Sequence, residues 1–192
     1  MRNRKLKSNL NILAVVIAVA VLLYSCKPAC ERNPNDPECS GERELITTLR
    51  VIVSDSATGI VIDTFQFKDV DGNGLPEVLD TIRLNANTTY RVALEFLNES
   101  VSPMEDITKQ ILIEKNDHFI AYQSQNVAIG FTYLDYDNNI PPLPLGLQTN
   151  WNTGIPSIGF VHISLRHQPG VKNGTEVPGD TDVSVDFVTE IL

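Results

Sequence analysis

The chain has 192 residues, a formal charge of −9 at pH 7 and 42% apolar side chains, enough for one domain with a core of its own. The excess of acid and the lack of any basic cluster after residue 25 argue against a nucleic-acid partner, because that affinity rests on Lys and Arg neutralising phosphates.

The stretch Met1–Lys7 carries Arg2, Arg4, Lys5 and Lys7 and no acid, and an apolar run without charge or proline follows from Ile12 to Tyr24. The run is shorter than the ~20 residues that cross a hydrocarbon core. A basic start before a short apolar stretch is the pattern of an export signal. It ends in Leu23-Tyr24-Ser25-Cys26, which resembles the lipobox of bacterial lipoproteins: an aliphatic residue, two further residues ending in a small one, then Cys. The resemblance implies cleavage of residues 1–25 and a diacylglycerol thioether on Cys26, making a membrane the first partner. Tyr24 departs from the small or aliphatic residue usual there, and a signal anchor with an incidental Cys is the other reading.

Residues 26–43 are polar and rich in Pro and Asn, and read as the lipidated Cys and a tether. Cys30 and Cys39 lie within it. In an oxidising compartment they are expected to form a disulfide. Two free thiols are the next reading, and a metal site the last, because two Cys without a nearby His make a poor zinc site.

From Glu44 the pattern turns to alternation, the mark of half-buried strands. Leu45, Thr47, Leu49, Val51 and Val53 share one face, and Ile60 to Phe67 is a second β-rich run. Tyr90, Val92, Leu94 and Phe96 alternate with Arg91, Ala93 and Glu95; Val161, Ile163 and Leu165 with His162, Ser164 and Arg166; Val183, Val185 and Phe187 with Ser184 and Asp186. Weaker strands are expected near 78–84, 118–123, 127–135 and 143–149. Ser102-Pro103-Met104-Glu105 reads as a capping box, and the spacing of Met104, Ile107 and Ile111 predicts one short helix over 103–114. Strands that follow one another without helices between them predict a mainly β fold over residues 44–192. The expected form is an antiparallel β-sandwich of the immunoglobulin or transthyretin kind.

One segment has metal-ligand spacing. In Asp69-Val70-Asp71-Gly72-Asn73-Gly74-Leu75-Pro76-Glu77-Val78-Leu79-Asp80 the oxygen donors fall as in a twelve-residue calcium loop. Asp69, Asp71 and Asn73 take positions 1, 3 and 5, the Leu75 carbonyl 7, Glu77 9 and Asp80 12, with Gly74 at the sharp turn. Asp80 is shorter than the usual bidentate Glu, and the flanks read as strands, so a Ca²⁺ loop between strands is expected rather than an EF-hand. The competing reading is a hairpin loop rich in residues that tolerate left-handed backbone. A second run, Asp135-Tyr136-Asp137-Asn138-Asn139, lacks glycine at the turn position and reads as a plain turn.

Catalytic signatures are missing: there is no His-Glu-x-x-His, no Gly-x-Ser-x-Gly and no phosphate-cradling glycine loop. His162 is expected on a solvated sheet face, and its odd spacing from His167 points the two to opposite faces. Trp151 falls in a Pro- and Gly-rich region and reads as a loop residue, either folded over the core edge or serving as a sugar-stacking platform.

Glu44-Leu45-Ile46-Thr47-Thr48, the Asp-rich loop, Asn87-Thr88-Thr89-Tyr90-Arg91-Val92, Leu97-Asn98-Glu99-Ser100, Glu105-Asp106-Ile107-Thr108 and Leu165-Arg166-His167 together resemble a group of small lipoproteins of Bacteroidota cell envelopes. The resemblance implies an outer-membrane location, on the periplasmic face or at the cell surface, and implies no activity. The function expected is therefore a non-enzymatic binding or structural module with a protein or glycan partner. An accessory or inhibitor subunit of an envelope complex comes next, and a polysaccharide hydrolase last.

Overall fold

Alternating apolar side chains can be buried only if a second layer covers them, and that pairing of layers is what the chain builds. A computed structural model describes residues 45–192. The expected export signal, the lipidated Cys26, the tether and the Cys30–Cys39 pair lie outside the described residues.

The elements in chain order are β1 (Thr48–Asp55), β2 (Val61–Lys68), β3 (Val78–Leu79), β4 (Ile82–Leu84), β5 (Thr89–Asn98), β6 (Glu105–Asp106), α1 (Thr108–Ile113), β7 (His118–Gln125), β8 (Ile129–Tyr133), β9 (Gln148–Thr153), β10 (Ser157–His167) and β11 (Asp180–Ile191). One sheet runs β3-β2-β1-β5-β9-β8, with β6 paired to the end of β5; the other runs β4-β11-β10-β7. All pairings are antiparallel except β11 with β4, which is parallel. The architecture is a mainly β sandwich of two packed sheets, not a closed barrel.

The core is one cluster drawn from both layers. Leu49, Val51 and Val53 of β1 and Tyr90, Val92, Leu94 and Phe96 of β5 face it from one side. Val161, Ile163 and Leu165 of β10 and Val183, Val185 and Phe187 of β11 face it from the other. These are the side chains that alternation marks as inward. The 78–84 run is split: β3 joins the larger sheet, and β4 crosses to the smaller one.

Two expectations are corrected. The helix spans only Thr108–Ile113, with Ile107 at its N-cap and no side-chain cap. Ser102 and Pro103 do not start it, because Glu105 and Asp106 pair as strand with Asn98 and Leu97. The Glu105 carboxylate meanwhile accepts from the Asn98 amide at 3.4 Å rather than turning back to cap. Ile107 and Ile111 are buried as the spacing implies, while Met104 stays exposed. The expected strand over 143–149 is mostly loop. The Asp135 carboxylate takes the N–H groups of Gly146 and Gln148, and the strand starts only at Gln148.

Residues Glu44–Leu192 form one compact unit, and among the described residues no helix is long and apolar enough to cross a membrane.

Candidate metal centre

The β2–β3 connection starts at Asp69, one residue after the strand pairing of Lys68 with Val78 brings the two ends of the loop together. Gly72 and Gly74 both have left-handed backbone, with φ of 66° and 80°, and reverse the chain within a few residues. This folding gathers Asp69, Asp71 and Glu77 so that one carboxylate oxygen from each lies within 4.8 Å of the others. Asp69 is half-buried; Asp71 and Glu77 are exposed.

Backbone N–H groups hold the three acids in place. Asp69 Oδ2 accepts from Gly74 N–H at 3.0 Å, Asp71 Oδ1 from Asn73 N–H at 3.1 Å, and Glu77 Oε2 from Val70 N–H at 3.0 Å. Asp69 Oδ1 is shielded from solvent and has no hydrogen-bond partner among the described residues. A solvent-shielded carboxylate oxygen is costly unless something positive meets it. The trio could hold a metal ion.

Not every residue that fits the spacing joins the trio. Asp80 turns away: its Oδ2 accepts from Gln66 N–H at 2.8 Å, extending the ladder along the edge of β2. Asn73 Oδ1 accepts from Leu75 N–H at 2.7 Å, and its Nδ2 donates to Asp71 Oδ2 at 2.8 Å. Leu75 has an exposed side chain and can offer only its carbonyl.

Trp151 is not a loop residue. It lies in β9, is 0% exposed, and donates from Nε1 to Thr149 Oγ1 at 3.0 Å. Phe131 and Tyr122 meet it edge-on, at ring-centroid distances of 5.4 and 6.1 Å. It therefore has no face to offer a sugar. The region read as loop around it pairs with both β5 and β8.

The histidines separate as their spacing implies. His162 lies on the outer face of its sheet, hydrogen-bonded to Asp186. His167 stacks on His118 across the β10–β7 pair, ring centroids 4.9 Å apart. His118 is buried; burial pushes its imidazole down to about 4, against the Glu114 carbonyl, which works to raise it.

The second Asp-rich run is a structural turn with an ion pair that sequence spacing did not reveal. Asp137 and Lys172 meet at 3.0 Å with side chains 0% and 2% exposed. Thirty-odd residues of intervening chain hide the pairing; the only signal is a lone Lys in a polar loop.

The chain matches no protein-family model, and no curated protein and no solved structure is detectably similar to it.

Proposed function

We propose that this chain is a lipid-tethered, non-enzymatic β-sandwich module of the bacterial cell envelope, held at the outer membrane through Cys26, whose β2–β3 loop is ordered by a bound calcium ion. The observation that carries the calcium reading is the gathering of Asp69, Asp71 and Glu77 within 4.8 Å on a loop with calcium-loop spacing. Each pair of unit charges ~4 Å apart repels by about 1 kcal/mol even in water, and a divalent cation turns that repulsion into attraction.

Calcium takes six to eight hard oxygens in flexible geometry, whereas magnesium demands a near-ideal octahedron and sheds water reluctantly. An open loop whose gathered donors are three carboxylates, with water to complete the shell, suits calcium. Extracellular sites of this kind have dissociation constants of about 10⁻⁴–10⁻³ M, so the ion's role is to order the loop. The tether rests on the basic start, the short apolar run and Leu23-Tyr24-Ser25-Cys26. Acyl chains anchor by burying methylenes, each worth ~0.8 kcal/mol.

Two measurements test the two halves. The mass of the N-terminal peptide from the membrane-extracted protein should correspond to a chain starting at a diacylglyceryl-modified Cys26. An unmodified Cys26, or retention of residues 1–25, contradicts the tether. Calorimetric titration with calcium should show a saturable heat that Asp69→Ala abolishes. A flat titration up to about 10 mM contradicts the site.

A further inference from the structure

A different constellation occupies the outer face of the β4-β11-β10-β7 sheet. Cross-strand register aligns Gln125, Phe160 and Val188 in one row and Gln123, His162 and Asp186 in the next. A cavity of about 310 Å³ opens over these rows, lined by Gln123, Ser124, Gln125, Phe160, His162 and Asp186. His162 Nδ1 stands 2.7 Å from Asp186 Oδ1, which fixes the ring. Its Nε2 is 3.4 Å from Ser184 Oγ and 3.8 Å from Glu176 Oε1. Phe160 is 41% exposed in mid-sheet, with Val188 beside it in its row and exposed Ile158 two residues back on the same strand, and a large ring left wet is an apolar surface suited to a ligand.

The order Asp186–His162–Ser184 resembles a charge-relay set, but Ser184 lies inside an extended strand. Nucleophilic serines work from turns where backbone N–H groups converge on an oxyanion. The chemistry of the cavity is recognition.

We propose that this cavity binds a neutral saccharide, with the ring of Phe160 against the C–H face of a sugar and Asp186, His162, the Gln125 amide and the Gln123 amide oxygen exchanging hydrogen bonds with its hydroxyls, the Gln123 Nε2 being committed to Glu176 Oε2 at 2.5 Å. A pyranose has one apolar face and a rim of groups that both donate and accept, which is the division of labour in these two rows. Asp186 and Glu176 set negative charge at the site, and the lining includes no Lys or Arg, so uronic acids are disfavoured. The proposal gives the binding module a ligand class. It rests on the binding reading and is independent of the lipid and of calcium.

The test is native affinity electrophoresis of the detergent-extracted full chain through gels containing starch, mixed-linkage β-glucan, arabinoxylan, galactomannan or polygalacturonate. The expected result is retardation by at least one neutral polysaccharide and none by polygalacturonate. Retardation should weaken about tenfold or more in Phe160→Ala and His162→Ala. It should persist in Phe160→Trp, which restores the stacking face, and in Asp71→Ala, which alters only the calcium loop. No retardation in any neutral gel, or equal retardation of wild type, Phe160→Ala and His162→Ala, overturns the saccharide site. The Cys26 mass and the calcium titration are unaffected by that failure.

Discussion

Asp69-Val70-Asp71 and Asp135-Tyr136-Asp137 start from the same Asp-x-Asp spacing, and the fold spends their carboxylates differently. In the second loop every acid is consumed internally. Asp135 takes the N–H groups of Gly146 and Gln148. Asp137 takes those of Leu143 and Asn139, the Asn139 amide and the Lys172 ammonium, which also donates to the Lys115 carbonyl at 2.8 Å. Burial works to raise the Asp137 carboxyl, but the Leu143 N–H, Lys172 and Asn139 outweigh it and hold it below the usual range. In the first loop no ammonium or guanidinium among the described residues partners Asp69, Asp71 or Glu77. A cation carried by the chain makes a staple; a cluster of acids without one invites a cation from solution.

The comparison breaks most sharply at Lys172. Lys172→Met leaves the Asp137 carboxylate buried without its counter-charge and should cost about 3–5 kcal/mol in denaturant unfolding. The double variant with Asp137→Asn should recover much of that loss, because the charge left behind is gone. Equal destabilisation by the single and double variants would mean the pair is not the staple.

Acidification reaches a second buried group. The His118 imidazole, pushed down to about 4 by burial, stays neutral in the fold at a pH where the unfolded chain, with its ordinary value near 6.5, binds a proton. Its contribution is therefore whole above about pH 6.5 and is lost progressively as pH falls towards 4. The loss reaches up to about 3 kcal/mol. Stability measured across that window should flatten in His118→Gln.

The smallest expected effect comes from the turn of the first loop. A Cβ on Gly74 meets nothing within 4 Å, but the residue sits at φ +80°. Gly74→Ala should thus cost about 1–2 kcal/mol from backbone conformation alone. Loss of calcium binding without any loss of stability would show that the turn is not held in this form by the apo chain.

Period-2 alternation made the inward faces of β1, β5, β10 and β11 legible, because burial on one side leaves that signature directly in the order of residues. The trio of Asp69, Asp71 and Glu77 was legible for a similar reason: a short loop keeps close in space what is close in sequence. Asp80 falls outside the trio because the strand edge it serves, at Gln66, cannot be read from spacing. Ser102-Pro103 misled because a capping signal is local, and the pairing of Glu105 and Asp106 with β5 is not. Lys172 with Asp137, and His162 with Asp186, depend on loop paths and cross-strand register. The register of β10 on β11 shifts between Leu165 and Arg166, an irregularity that no residue pattern announces. Trp151 was misplaced because Pro and Gly around it outweighed a short polar strand with inward Thr149, Trp151 and Thr153.

The central claim is that calcium orders the Asp69–Asp80 loop, and paired thermal melts in EDTA and in about 10 mM calcium test it most directly. At about 10 to 100 times its dissociation constant a ligand adds about 1.4–2.7 kcal/mol, which for a chain of this size raises the midpoint by roughly 3–11 °C. The account predicts that rise in the wild type and its loss in the Asp69→Ala, Asp71→Ala double variant. An unchanged midpoint in the wild type, or the same rise in the variant, would contradict it.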